Sequence, residues 1–141
     1  MTSKEYLKSI RSLDLQIQNK QLEIKEIRNK MKGLSAITYE PKIGSSSNAN
    51  TQAPQEKYYH LLEKYEEELT EDIDKLVKLK QDIMNIIDQI PDSNCVDILY
   101  KRYFQYMKWE EIAFKMNFSY KQVHRIHGKA LKMVEEILKE K

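Results

Sequence analysis

The sequence predicts an all-α protein, in which a long antiparallel helical hairpin is followed by a compact helical module. Apolar residues recur at helical spacing along most of the 141 residues, and only three glycines and three prolines interrupt them. Two long segments also carry the heptad spacing of coiled coils. With 33% charged and 40% hydrophobic residues, the composition is typical of one or two small helical domains.

The first predicted element is a helix over residues 4–34. Its apolar positions follow the alternating four- and three-residue spacing of a coiled-coil seam. They are Tyr6, Ile10, Leu13, Ile17, Ile24, Ile27, Met31 and Leu34. Lys20 is the one polar residue in this seam. Residues from about 35 to 54 are then predicted to form a flexible polar loop, because they offer almost nothing to bury.

A second long helix is predicted over residues 55–90. Its seam consists of Tyr58, Leu62, Tyr65, Leu69, Leu76, Leu79, Ile83, Ile86 and Ile90, and its polar position is Asp72. Antiparallel pairing of positions whose numbers sum to about 92 places Lys20 beside Asp72. The net charges, +4 over residues 1–33 and −5 over 55–90, favour this pairing. The Lys20–Asp72 pair is predicted to fix the register; alternatively, both side chains turn to solvent and the match is coincidental.

The hairpin is assigned to residues 1–90 and a C-terminal domain to residues 91–141. Pro91 ends the second long helix, and Asp92 or Ser93 can cap a brace helix over 94–106. Two shorter helices follow, over 109–116 and 120–139. Between them, Asn117 tolerates a left-handed backbone and Ser119 can cap the next helix. The residues expected to form the core of this pair are Ile112, Ala113, Met116, Phe118, Val123 and Ile126.

A tight turn between two such helices is typical of a helix-turn-helix that presents its second helix to the DNA major groove. With the apolar stripe inward, residues 120–132 expose donors, cations and aromatics, and no carboxylate interrupts that face before Glu135. The residues expected to contact bases lie in the first turns: Tyr120, Lys121, His124 and Arg125. Those expected to contact phosphates are Ser119, Gln122, Lys129, Lys132, Arg102 and Lys115. The alternative is an ordinary solvated helical face.

Charge distribution favours the DNA interpretation more than net charge does. The whole chain carries +2, but residues 99–134 hold eight Lys or Arg against two acids. No enzyme, metal or cofactor chemistry is predicted, because the glycines are isolated and His124 and His127 lack further ligands nearby. Cys95 is expected to be a packing residue. No signal peptide or apolar run of membrane-spanning length is recognised, so a cytoplasmic protein is expected.

Residues 98–103, Trp109–Glu110–Glu111–Ile112–Ala113, Phe118–Ser119, Val123 and Lys129–Ala130–Leu131 resemble region 4 of primary sigma factors. The whole order of segments resembles the phage-encoded ArpU/RinA-like late transcriptional regulators. This resemblance implies activation of late phage genes in a bacterial host cell, in association with the nucleoid and with host RNA polymerase as a candidate partner. Tyr120 and Lys121 depart from the arginine and glutamate usual in sigma factors, so a different target sequence is expected.

Double-stranded DNA is the predicted partner, and a homodimer through the hairpin or the last helix is also considered, because one small module binds weakly. Two other functions remain open at this point. One is the DNA-recognition subunit of a phage packaging terminase. The other is a sigma-like adaptor that binds RNA polymerase without reading DNA.

Overall fold

A computed structural model describes residues 1–38 and 48–140, with side chains for 1–33 and 55–140. It confirms the all-α class: these residues form α-helices and one π-helical turn, and no strand. The helices are α1 (Ser3–Thr38), α2 (Asn48–Ile87), α3 (Ser93–Leu99), α4 (Trp109–Met116) and α5 (Tyr120–Lys139), with the π-helical turn at Tyr100–Phe104.

The two long helices differ from the prediction at all four of their ends, although α1 begins only one residue early, at Ser3. Helix α1 continues to Thr38 and α2 already begins at Asn48, so both ends of the predicted 35–54 loop are helical. The centre of that loop lies outside the described residues. Helix α2 ends at Ile87 instead of residue 90, and tighter bonds close its last turn, where Ile90 N–H donates to Ile87 O at 3.0 Å. Pro91 disfavours helical backbone at Ile90, so the helix ends before that residue.

The described chain divides into two compact units, residues 1–14 with 75–141 and residues 15–74. We call them the first and second unit. The predicted division between residues 90 and 91 is therefore replaced by one that crosses both long helices. The reason is packing: Leu7 and Ile10 of α1 and Ile83 of α2 belong to the same buried core as residues of α3 and α5.

The larger core of the first unit joins α1, α2, α3, the π-helical turn and α5. Its buried members are Leu7, Ile10, Ile83, Ile86, Ile87, Ile90, Cys95, Leu99, Tyr103, Ala130 and Val134. Near the start of α1, Ser3 Oγ donates to Leu131 O at 3.2 Å. Asp92 caps α3 by accepting from the N–H groups of Asn94 and Cys95, as predicted. Cys95 is fully buried in this core, in agreement with a packing role.

The segment between the π-helical turn and α4 contains a tyrosine in the left-handed region, Tyr106, with φ 58°. Its hydroxyl donates to Asp14 Oδ2 at 2.7 Å, and the Arg11 guanidinium lies 5.6 Å from its ring centroid. A left-handed conformation is unfavourable for a bulky residue. The contacts with Asp14 and Arg11 of α1 stabilise Tyr106 in this conformation, and the chain thereby turns from the π-helical turn into α4.

The second unit is the antiparallel part of the hairpin. Lys20 Nζ lies 3.3 Å from Asp72 Oδ2 and 2.9 Å from Glu68 Oε2, and Arg28 pairs with Glu66. Positions on α1 thus rise as their partners on α2 fall, which confirms the predicted Lys20–Asp72 contact and adds Glu68 to it. Hydrogen bonds to Glu68 and then to Asp72 raise the pKa of Lys20.

The α1 side of the apolar seam in this unit is buried as the heptad pattern predicts, whereas the facing seam residues of α2, Tyr58, Leu62, Tyr65 and Leu69, are half-buried. Ile17, Ile24 and Ile27 are all at most 6% exposed.

In the described part of the chain, no helix is long and apolar enough to cross a membrane.

Candidate nucleic-acid interface

Helices α4 and α5 of the first unit are joined by a three-residue turn, Asn117–Phe118–Ser119. Asn117 takes the left-handed conformation, with φ 59° and ψ 39°, and ends α4. Phe118 N–H donates to Ala113 O at 3.0 Å. Ser119 Oγ accepts from Gln122 N–H at 3.1 Å, while Ser119 N–H donates to Gln122 Oε1 at 2.9 Å. The turn is therefore closed at both ends by hydrogen bonds, with a capping box at the start of α5.

A separate apolar cluster holds the two helices together. Its buried members are Ile98, Met107, Ile112, Ala113 and Val123, and Trp109, Met116, Phe118 and Ile126 pack around them. The six predicted core residues are all in this cluster. Ile98 and Met107, which precede the two helices, were not predicted, because neither lies on the apolar stripe of α4 or α5. Ile98 lies in α3 and Met107 lies between the π-helical turn and α4, so these two residues connect the cluster to the preceding elements.

The exposed side of α5 carries a row of cations that we call the basic stripe: Lys121, Arg125, Lys129 and Lys132. They follow at intervals of four, four and three residues, so they share one face of the helix, and all four are exposed. Val123, His127, Ala130 and Val134 are buried on the opposite face. The apolar core thus fixes which side of α5 faces outward.

One member of the basic stripe is partly neutralised within the molecule. Lys129 Nζ lies 3.2 Å from Asp92 Oδ2, the carboxylate that also caps α3. The hydrogen bond from Lys129, followed by those from the backbone N–H groups, lowers the pKa of Asp92. The part of the chain that the structure describes shows no ion pair at Lys121, Arg125 or Lys132, so these three cations are the ones available to an anionic partner.

Aromatic rings form a row beside the basic stripe, under the first turns of α5. The His124 ring lies 4.4 Å from the Tyr120 ring and 4.6 Å from the Trp109 ring, between centroids. The Trp109 ring lies 4.5 Å from the ring of His127, and the hydroxyl of Tyr103 is 2.7 Å from His127 Nε2. The row thus runs from the exposed Tyr120 to the buried Tyr103 of the π-helical turn.

Two residues at the inner end of the row are strongly affected by burial. Desolvation lowers the pKa of His127 to about 4, with smaller contributions from nearby positive groups, Lys4 first among them. Burial likewise raises the pKa of Tyr103 to about 12. Both are therefore neutral near pH 7, and the tyrosine hydroxyl can donate to the unprotonated Nε2. His127 therefore packs as a neutral ring against Tyr103 of the π-helical turn.

His124 is placed differently from its predicted position facing the DNA. It is half-buried between Trp109 and Tyr120, and its Nε2 atom is inaccessible to solvent and has no hydrogen-bond partner. The helical spacing put it on the outward side, but the large Trp109 ring draws it inward. His124 can support Tyr120 from this position, and it does not present Nε2 to a base.

Three predicted phosphate contacts are also engaged inside the molecule. Arg102 lies 4.4 Å above the Trp109 ring and donates to Met107 O at 2.9 Å. Ser119 and Gln122 form the capping box. Lys115 on α4 remains exposed, and Tyr120 is 52% exposed. Of the predicted DNA contacts, the structure brings Tyr120, Lys121, Arg125, Lys129 and Lys132 together on the exposed side of α5.

Two exposed residues, Phe114 and Gly128, have no predicted role. Phe114 is 87% exposed on α4; it could have been noticed because Ile112, Ala113 and Met116 define an inward face that excludes it. Gly128 lies within the basic stripe, between Arg125 and Lys132.

No family model, curated protein or solved structure matches this chain. In the described residues, no three His, Cys, Asp or Glu side chains are grouped so that they could hold a metal ion.

Proposed function

We propose that this chain is a sequence-specific DNA-binding regulator of transcription, and that α4 and α5 form a helix-turn-helix whose second helix enters the major groove. The observation that carries the proposal is the basic stripe on α5, which is held outward by a buried opposite face and a closed turn. The first carboxylate on α5 is Glu135, so the first fifteen residues of the helix present no negative charge to DNA.

The roles of the exposed residues follow from their positions along α5. Lys121 and Arg125 lie in the first two turns, which reach deepest into a groove when a recognition helix enters by its N-terminal end. Arg125 can donate two hydrogen bonds to a guanine, and Tyr120 can contact a neighbouring base. Lys132 lies about 18 Å from Tyr120 along the helix and is assigned to phosphate. Lys129 can join it when DNA competes with Asp92.

The sequence resemblance to sigma region 4 and to ArpU/RinA-like regulators supports a role in activating late phage genes. Under this proposal the chain acts in a bacterial host cell, upstream of its target genes, with host RNA polymerase as a partner. Two copies of the chain on two half-sites would increase the affinity of so small a module. Val77 and Met84, exposed seven residues apart on α2, are candidate contacts between copies.

Selection of bound fragments from phage and host genomic DNA, at near-physiological salt, tests the proposal. Non-specific phosphate binding fades under these conditions, so recovery of one short motif upstream of a gene block is the expected result. Recovery of random fragments alone would contradict sequence-specific regulation. If no DNA binds while RNA polymerase co-purifies with the protein, the adaptor function replaces it.

Point variants separate base reading from phosphate binding. Arg125→Ala is expected to reduce discrimination at one base pair by about 1–3 kcal/mol, whereas Lys132→Ala weakens binding to all sequences and lowers the salt slope by about one. Lys64→Ala, which removes an exposed lysine of the second unit, is the matched control and leaves both quantities unchanged. Equal losses on specific and random DNA for Arg125→Ala would rule out its base-reading role.

A further inference from the structure

Gly128 is placed where neither the helix nor the fold requires a glycine. It is the ninth residue of the twenty in α5, and glycine is less favourable than alanine inside a helix. Its backbone is not in the left-handed region, and a Cβ built on it would meet no atom within 4 Å. Neither backbone conformation nor internal packing therefore explains the missing side chain.

The neighbours of Gly128 on the helix surface are the long cations of the basic stripe. Lys121 precedes it by seven residues, Arg125 by three, and Lys132 follows by four, so these residues surround it on one face. The glycine leaves a notch in which another molecule can reach the helix backbone itself. Glycine is a residue used where a backbone approaches a ligand closely.

We infer that Gly128 is the point at which the sugar-phosphate backbone of a DNA strand lies directly against α5. This inference rests on the proposed function. The surrounding cations indicate an anionic partner. The position of Gly128 along α5 indicates that this partner is the sugar-phosphate strand and not the bases. Gly128 lies about 12 Å from Tyr120 along the helix axis, beyond Arg125, the last residue assigned to bases. In a helix that enters by its N-terminal end, residues this far along lie nearer the strand that borders the groove than the bases.

The test compares two glycine-to-alanine variants of the full chain. Gly33 of α1 is a matched control, because it too is exposed, lies within a helix and has no atom within 4 Å of an added Cβ. Gly128→Ala and Gly33→Ala are both expected to raise the Tm, by about 2–4 °C, through better helix formation. Only Gly128→Ala is expected to weaken DNA binding, by about fivefold or more, because the methyl group separates the strand from the helix.

The DNA probes are a duplex recovered by the genomic selection and a duplex of random sequence with the same length. A contact with the strand carries no sequence information, so Gly128→Ala should weaken both to a similar extent. Unchanged affinity of Gly128→Ala for both duplexes would overturn the inference while leaving the proposed function intact. A loss confined to the selected duplex would assign Gly128 to a base instead and overturn it as well.

The remaining outcomes are equally distinct. A Tm that falls in Gly128→Ala would show that the fold itself needs the glycine, which contradicts the inference. A change in oligomeric state, measured by light scattering without DNA, would show that a second copy of the chain occupies the notch. If the unmodified protein binds neither duplex, the proposed function fails first and the inference fails with it.

Discussion

Mild acidification is expected to destabilise the folded chain through one side chain, His127. This residue is 6% exposed, and burial lowers its pKa from 6.5 to about 4. Between these two values the unfolded chain binds a proton that the folded chain excludes, so the free energy of unfolding decreases as the pH falls. The contribution of neutral His127 is complete above about pH 6.5 and is lost progressively toward pH 4.

The two pKa values determine the size of the effect. The proton linkage predicts a loss of about 1.3 kcal/mol between about pH 7.5 and 5.5, and a total loss of about 3 kcal/mol below pH 4. The upper interval is the one to measure, because most carboxylates stay ionised there. Urea unfolding across this interval gives the change in free energy, and NMR of the His127 ring gives its pKa directly.

Two variants isolate the contribution of His127. His127→Gln cannot be protonated and can still accept a hydrogen bond from Tyr103, so its unfolding free energy should lose most of the pH dependence. His60→Gln removes an exposed histidine and should retain it. If His127→Gln keeps the full dependence, the reasoning is refuted. If that variant does not fold, titration of the His127 ring near pH 6.5 in the unmodified protein would refute it equally.

Three further predictions concern the fold. Ala113→Leu should overpack the crossing of α4 and α5 and lower the free energy of unfolding by about 1–3 kcal/mol in urea, and an unchanged value would show that the crossing has free space. Lys20→Glu should lower the Tm by facing Glu68 and Asp72 with a like charge, and adding Asp72→Lys should recover part of the loss if the pair fixes the register. Residues 91–141 alone should lack a cooperative thermal transition by circular dichroism, because Leu7 and other core residues are missing; a sharp transition would contradict the shared core.

The sequence was sufficient wherever the structure depends on local chemistry. Heptad spacing identified both long helices and aligned Lys20 with Asp72, because the spacing of a seam and its charged positions can be recognised within each segment alone. The turn between α4 and α5 was equally predictable, because Asn117 and Ser119 favour their observed backbone roles through their own side chains. The basic stripe followed once the apolar face of α5 was recognised.

The features that could not be predicted from the sequence depend on contacts between distant segments. The inward position of His124 results from Trp109, and Arg102 is held by the same ring, so helical periodicity alone placed both too far outward. The left-handed conformation of Tyr106 depends on Asp14, ninety-two residues away. The boundary between the two units was missed for a similar reason: a heptad pattern identifies a buried seam but does not reveal that α3 and α5 also pack against its end.

The shared core of the first unit imposes an order on biosynthesis. Leu7 and Val134 belong to one cluster but are separated by 127 residues of chain. At about 5–20 residues per second, Leu7 is made about 6–25 s before Val134. During that interval the apolar start of α1 lacks part of its cover, so nascent chains are then most exposed to aggregation and to chaperones. The buried core that holds the basic stripe outward is complete only when α5 itself has been translated.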